Sequence, residues 1–197
     1  MHGGQLLERW LAEVIAVPGL TGISALETAR RVLSEDALRA VPLLDLAEGP
    51  VIDVGSGGGS PGIPLAVACP GRRFTLLEAS RRKAEQLAWL ARDLPNVEVV
   101  CARAEDQATD VYGVALAKAL AKPPVAAELT LPLVGPGGIA LIWVGETADP
   151  IRVARVAELL AAELEQDRDG LLVLRKLGPT PSGFPRRPGL AKKRPLG

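Results

Sequence analysis

The stretch Val51-Ile52-Asp53-Val54-Gly55-Ser56-Gly57-Gly58-Gly59-Ser60-Pro61-Gly62-Ile63-Pro64 limits what this chain can become more than any other. Its first four residues are an apolar run of the kind found in a buried strand. A glycine-rich turn follows, and the turn opens a helix expected over residues 63–69. In an open α/β sheet, ligands lie outside the carboxyl ends of the strands. Glycine there lets the backbone come close to a ligand and adopt positive φ. The amino terminus of the helix adds unpaired N–H groups and partial positive charge. The stretch therefore reads as a nucleotide or adenosyl pocket.

Two nucleotide schemes fit it. Gly57-x-Gly59-x-x-Gly62 matches the dinucleotide fingerprint. Gly55-x-Gly57-x-Gly59 directly after Asp53-Val54 matches the S-adenosylmethionine (AdoMet) loop of methyltransferases. Both expect an acid at the end of the second strand to take ribose hydroxyls, and Glu78 stands there after Phe74-Thr75-Leu76-Leu77. Pro61 and Pro64 are tolerated only in a first helical turn. They imply a short, late-starting helix, which suits a pyrophosphate poorly.

The chain of 197 residues has 23 basic and 23 acidic side chains, unevenly spread. Arg175, Lys176, Arg186, Arg187, Lys192, Lys193 and Arg194 fall in residues 175–197 with no acid among them, so this end carries +7 and the rest −7. A basic tail on an acidic body suggests a polyanionic partner, although a solvated tail serving solubility is an equal reading. Cys69 and Cys101 have no metal spacing and are expected as buried small apolar residues in a reducing cytosol. His2 is the single histidine, which argues against metal sites and imidazole catalysis. Glu8, Arg9 and Glu13 interrupt the first apolar pattern, so no signal peptide is expected. The run 129–144 holds Pro132, Gly135, Pro136, Gly137 and Gly138 and is no membrane span.

Three parts are expected: amino-terminal helices over 1–48 packing on the core, a central α/β unit over 49–177, and a basic proline-rich tail over 178–197. Leu6, Leu7, Trp10, Leu11, Val14 and Ile15 share one helical face. Ser24 and Glu27 have capping-box spacing before a second helix reaching about Arg39. Strands are expected over 73–78, 97–101, 111–119, 139–144 and 171–174. Helices are expected over 81–92, capped by Ser80 with Ala84, Leu87, Ala88, Leu90 and Ala91 inward and Trp89 packed among them, then over 124–133 and 151–165. In the last, Val153, Val156, Leu159, Leu160 and Leu164 read as the inward face. Strands alternating with helices give a doubly wound, mostly parallel sheet with helices on both faces. The prolines of the tail exclude regular helix or central strand there.

Asp53–Leu65 closely resembles the AdoMet loop of the glucose-inhibited division protein B family, bacterial small-subunit ribosomal RNA guanine-N7 methyltransferases. Leu76-Leu77-Glu78-Ala79-Ser80-Arg81-Arg82-Lys83 is similar to the family's second strand and following helix. Asn96–Val100 with Arg103-Ala104-Glu105 is similar to its third strand and adenine-side loop. Thr180-Pro181-x-x-Phe184-Pro185-Arg186-Arg187-Pro188-Gly189, then Lys193-x-Pro195-Leu196, is similar to its carboxyl-terminal signature. The resemblance implies a seven-stranded class I methyltransferase fold, AdoMet as cofactor, and ribosomal RNA or the small ribosomal subunit as partner. It implies a cytoplasmic protein, expected as a monomer without metal or membrane. By this resemblance Asp53, Gly55, Ser56, Gly57, Gly59 and Ser60 belong to the cofactor loop, with Gly55 and Ser60 on the methionine side. Glu78 holds the ribose, and Ala104 and Glu105 flank the adenine. Lys118 stands beside cofactor and target base, where the family usually has arginine, and is the candidate catalytic residue. Arg186, Arg187 and Lys193 are the candidate RNA contacts. The family's histidine near Glu35-Asp36-Ala37-Leu38 is missing, and the segment 144–171 leaves little room for both a helix and the family's extra edge strand.

Guanine N7 carries a lone pair and no proton, so its methylation needs alignment and no general base. That suits a chain without a catalytic histidine. Amine methylation would favour Asn-Pro-Pro-aromatic after strand four, but Lys122-Pro123-Pro124-Val125 reads as a proline-initiated helix start. Two rivals remain. A nicotinamide-dependent oxidoreductase would lack a proton donor and a substrate domain, and a degenerate methyltransferase fold would bind AdoMet or RNA without turnover.

Overall fold

The computed structural model describes residues 3–145 and 148–196, without the side chains of 166–168. His2 lies outside the described residues. Val51–Val54 forms β1, buried along its whole length, and the sheet grows outward from it on both sides. The other strands are Phe74–Leu77 (β2), Val97–Val100 (β3), Tyr112–Ala117 (β4), Val134–Trp143 (β5), Ala162–Arg168 (β6) and Leu171–Lys176 (β7). Among the described residues they make one seven-stranded sheet in the order β3-β2-β1-β4-β5-β7-β6. Strands β1 to β5 are parallel, while β7 pairs antiparallel with both β5 and β6. The order reverses between β1 and β4, the topological switch point where such sheets bind ligands.

Side chains alternate across this sheet, so the apolar residues divide into two clusters. One gathers Val51, Leu76, Val114, Leu116 and Leu141 under helices α1 (Gly3–Ala16), α4 (Val41–Leu44), α5 (Gly62–Ala68) and α6 (Arg81–Leu90). The other gathers Ile52, Val54, Leu77, Ala115 and Ile142 under α7 (Pro123–Thr130) and α8 (Pro150–Leu159). Between α1 and α4, helix α2 (Leu26–Ala29), a π-helical turn over Arg30–Glu35 and α3 (Asp36–Leu38) run on without a break. A four-residue helix in the tail, α9 (Leu190–Lys193), departs from the expectation of no helix there.

Several local expectations are corrected. The capping box does not form: Ala25 occupies the N-cap, and the Glu27 carboxylate pairs with Arg30 at 2.7 Å. Ser80 stands at the N-cap of α6 but offers no side-chain cap; its N–H donates to Glu78 Oε1 at 2.8 Å. Ala88 and Trp89 face outward on α6, with the Arg92 guanidinium stacked 4.0 Å from the Trp89 ring. Cys69 is half-buried and Cys101 exposed. The helix expected over 151–165 ends at Leu159, which is itself exposed, and Ala161 turns the chain at φ 53. Residues 162–168 then form the edge strand β6. Both elements fit because α8 is only 10 residues long. Ala, Glu and Leu favour helix, but pairing with β7 outweighs that preference. Exposed Glu163 and Glu165 also suit an edge that must not recruit another chain.

Gly113 opens β4 beside an irregular register, with its N–H donating to Pro50 O. A Cβ there would stand 1.6 Å from Glu48 O. Gly113→Ala is expected to cost about 3 kcal/mol or more. Gly71→Ala meets no neighbour and is expected within about 0.5 kcal/mol of wild type. Urea unfolding of the two variants checks the contrast.

Candidate functional site

The turn after β1 is pinned by backbone and carboxylate together. Gly55 N and Ser56 N both donate to Leu77 O, at 2.8 and 3.0 Å. Glu78, next along from β2, accepts from Gly57 N at 3.1 Å through its second oxygen and from Ser80 N through its first. Asp53 reaches forward under the loop, and its Oδ2 accepts from Gly62 N at 3.1 Å. Gly62 is packed so closely on Leu76 and Asp53 that a Cβ would meet Leu76 at 2.2 Å. Gly57 has φ +53, and only Gly55 O, at 3.8 Å, stands near where its Cβ would be, so the loop presents bare backbone to the cavity above it.

That cavity, about 630 Å³, is bounded by the carboxyl ends of β1, β2, β3 and β4. Gly55, Ser56, Gly57, Ser60, Glu78, Ala104, Glu105 and Lys118 line it. Asp53 and Gly59 do not: a Cβ on Gly59 would run into Ile63 and Leu87, and both residues support the loop from beneath. Ser56 Oγ turns back to Asp53 O at 2.8 Å, and Ser60 Oγ donates to Leu33 O at 2.7 Å. The amino-terminal helices supply a whole wall. Val14, Val32 and Leu33 line the cavity, and Trp10, buried in α1, donates from Nε1 to Gly58 O at 2.9 Å.

Lys118 reaches that wall from the end of β4. Its Nζ lies 2.7 Å from Asp36 Oδ2 and also donates to Val32 O. Asp36 lies in the stretch Glu35-Asp36-Ala37-Leu38 that the resemblance marks for its missing histidine, but no sequence signal assigned the aspartate itself a role. Lys83, Arg103 and Lys192 also line the cavity and were not singled out as site residues; Lys192 gets there because the tail folds back over the sheet.

The tail is anchored at three points. Thr180 donates from N and Oγ1 to the Asp110 carboxylate, and Lys176 Nζ donates to Thr180 Oγ1 at 2.9 Å. Arg186 forms a two-pronged bond to buried Glu128, both contacts 2.6 Å. Gly189 N donates to Glu105 Oε1 at 2.8 Å. Burial drives the Glu105 pKa up, but the Gly189 N–H, its own N–H and Arg103 outweigh it and leave the carboxyl below its ordinary value. Three cations of the basic end are thus committed within the fold. Lys176 is buried with its pKa lowered by burial, Arg175 pairs with Glu165, and Arg186 faces Glu128, which corrects its expected exposure to RNA. Arg187 and Lys193 stay exposed. Glu128 was findable, being the single acid in the apolar stretch between Asp110 and Glu146.

The family model described as rRNA small subunit methyltransferase G matches residues 5–166. The chain is 38% identical over 180 residues to the ribosomal RNA small subunit methyltransferase G of Pelotomaculum thermopropionicum, covering 81% of this chain and 74% of that protein. It is 35% identical over 168 residues to the protein of the same name from a Synechococcus strain, covering 74% of this chain and 64% of the relative. It belongs to the rRNA small subunit methyltransferase G family. The chain thus spans between 64% and 74% of the length of these two relatives. A solved O-methyltransferase of neocarzinostatin biosynthesis, in complex with S-adenosylmethionine, superposes with a TM-score of 0.60 at 17% identity, covering 77% of this chain and 56% of that one. The fold is that of class I methyltransferases, as expected from the sequence.

The loop geometry also disposes of the dinucleotide reading. The N–H of Gly62 is taken by Asp53 and that of Ile63 by Gly59 O at 2.7 Å. Helix α5 has only seven residues, and its amino end has these donors already filled, where a pyrophosphate would need them free. Among the described residues no cluster of three metal-ligating side chains occurs, and no helix is long and apolar enough to cross a membrane.

Burial pushes Asp53 from its ordinary 3.8 up to about 7, against the pull of the Gly62 N–H, Ser56 and Lys118. Between these two values the unfolded chain is ionised while the folded chain holds its proton. Stability from this group therefore falls as pH rises from about 4 to about 7 and is level above that. Asp53→Asn keeps an acceptor for Gly62 and removes the titration. Relative to wild type it should gain up to about 4 kcal/mol between pH 4 and pH 8. Urea unfolding of both proteins across that range checks it; a constant difference would exclude the raised pKa.

Proposed function

We propose that this chain transfers the methyl group of AdoMet to N7 of a guanine in small-subunit (16S) ribosomal RNA. The observation that carries the reading is the meeting of Gly57, Glu78, Glu105 and Lys118 on one cavity at the switch point of a methyltransferase G sheet. The cavity fits the cofactor. Its loop exposes backbone over Gly57, and a carboxylate stands at the end of β2 where a ribose diol would lie. Gly55, Ser56, Gly57 and Ser60 would hold the methionine side, Glu78 the ribose, and Ala104 and Glu105 the adenine. Asp53 and Gly59 shape the loop from beneath.

When bound, AdoMet supplies an electrophilic methyl group on a sulfonium sulfur. The chain's own work is alignment: it fixes one partner on the loop, presents Lys118 to the base, and keeps water out with the helical wall carrying Val32 and Leu33. Guanine N7 has no proton to lose, so neither carboxylate of the cavity lining, Glu78 or Glu105, is needed as a base and both are left to the cofactor. Exposed Arg187, and Lys193 at the end of α9, are suited to phosphates, and such contacts orient RNA without reading its sequence. Arg186 serves them indirectly through Glu128. The reading implies a monomer working in the bacterial cytoplasm on ribosomal RNA or the small subunit.

Labelled AdoMet with small-subunit RNA from a strain lacking this modification tests the reading. One labelled guanine, mapped as N7-methylguanine by chain cleavage, is expected. Bound AdoMet without transfer would favour the degenerate-binder alternative. Glu78→Gln should weaken AdoMet binding about tenfold by losing one charge-assisted pair of contacts. Arg187→Ala and Lys193→Ala should each weaken RNA binding and lower its salt slope by about one. Calorimetric titration and binding across salt concentrations give these readings.

A further inference from the structure

We propose that Asp36 is a positioning residue for Lys118: it fixes the ammonium at the cavity wall and neutralises it, so that Lys118 reaches the target base as a hydrogen-bond donor without net repulsion. The inference rests on the methyl-transfer reading above.

The geometry points to it as follows. Lys118 is 12% exposed by side chain and lines the cavity, while Asp36 enters from the helical wall opposite. An ammonium has three N–H donors. One faces Asp36 Oδ2 at 2.7 Å and one faces Val32 O, which leaves one for the cavity. Asp36 is itself held from two other sides. Arg39 Nη1 lies 3.0 Å from its Oδ1, and Trp143 Nε1, at the end of β5, donates to its backbone oxygen at 3.3 Å. Arg39 is 44% exposed by side chain, so its charge is screened by solvent far more than that of Lys118.

The chemistry needs this neutralisation. Guanine N7 and O6 lie on one edge as two acceptors. With N7 engaged by the methyl carbon, O6 is the acceptor left for Lys118. In the transfer the N7 lone pair forms the new N–C bond, the C–S bond breaks, and its electron pair stays on sulfur. No proton moves, and positive charge passes from sulfur to the purine ring. A bare ammonium bonded to O6 would repel the charge arriving beside it. Lysine makes this more acute than arginine, because its charge sits on one nitrogen and is not spread over a planar fork. The Asp36 carboxylate converts that cation into a neutral pair with an N–H still free. Adenine carries an amine where guanine has O6, so the same donor disfavours it.

The test uses the full chain and a short RNA carrying the guanine mapped above, either unmodified or already methylated at N7, at a slightly acidic pH where the methylated base keeps its N1 proton and is cationic. Asp36→Asn should weaken binding of the methylated RNA about tenfold more than that of the unmodified RNA. AdoMet affinity should stay within about twofold of wild type, and kcat should fall with KM nearly unchanged. Asp36→Glu should restore the wild-type preference, and Asp36→Asn in a Lys118→Gln background should return the ratio of the two affinities to its wild-type value, since neither charge is then present. Equal losses for both RNAs and for AdoMet would mean that Asp36 only packs the wall, and would overturn the proposal. Lys118→Gln gives a second check that does not depend on an Asp36 variant folding. It should weaken both RNAs but shift their ratio toward the methylated RNA, because it leaves the Asp36 carboxylate unpaired beside the cationic base. An unchanged ratio would mean that the Asp36 charge is not felt at the base, and would overturn the proposal too. Wild type that yields no N7-methylguanine overturns the methyl-transfer reading and this inference together. Wild type that methylates while the Asp36→Asn ratio is unchanged overturns this inference alone.

Discussion

The site depends on one buried contact, the Asp53 carboxylate beneath the glycine turn, accepting the Gly62 N–H. Asp53 is 1% exposed and its other oxygen has no hydrogen-bond partner. Burying an ionised carboxylate on these terms is costly, which is why the group keeps its proton up toward neutral pH. The contact ties the end of β1 to the start of α5 and closes the loop on itself. Glu78 ties the same loop to β2 from above. Two carboxylates, one below and one beside, thus convert a run of glycines into a fixed surface. The donors at the amino end of α5 are filled by the protein, and the open side is left to the ligand.

The amino-terminal helices complete the cavity. Polar contacts join them to the loop and to the carboxyl ends of the strands, among them Trp10 to Gly58, Ser60 to Leu33, and Lys118 to Val32 and Asp36. Val32 and Leu33 lie within the π-helical turn, a distortion that often marks functional sites. Here it brings their carbonyls to the donors of the loop and of β4. The carboxyl-terminal segment closes the other side by a parallel device, with buried Glu128 and half-buried Glu105 receiving Arg186 and the Gly189 N–H. Acids in the body thus capture part of the basic tail, and the formal charge imbalance between the two becomes an internal latch as well as an outward-facing surface.

Much of this was legible in the amino-acid order alone. The alternation of apolar strands and amphipathic helices determined a doubly wound sheet, because a period of two and a period of 3.6 each impose one buried face. Asp53 through Pro64 determined the loop and its short helix, since glycine takes the φ of +100 at Gly59 without the cost a side chain would carry and proline can enter only a first turn. Glu78 was legible as a cavity residue from its place after β2, and Glu105 and Lys118 from the resemblance to the family. What only the tertiary structure decided are choices between partners distant in sequence. Residues 162–168 became a strand because β7 offers a ladder, against the helix preference of Ala162, Glu163 and Leu164. Asp53 and Gly59 went beneath the loop because Gly62, Ile63 and Leu87 fill the space around them. Arg186 turned inward because Glu128, 58 positions earlier, is a buried carboxylate that needs a cation. Asp36 met Lys118 across 82 positions of chain for a similar reason. Local order sets which backbone shapes are allowed, but the pairing of charges depends on which side chains the finished packing removes from water, and that is settled only once the sheet and its covering helices are together.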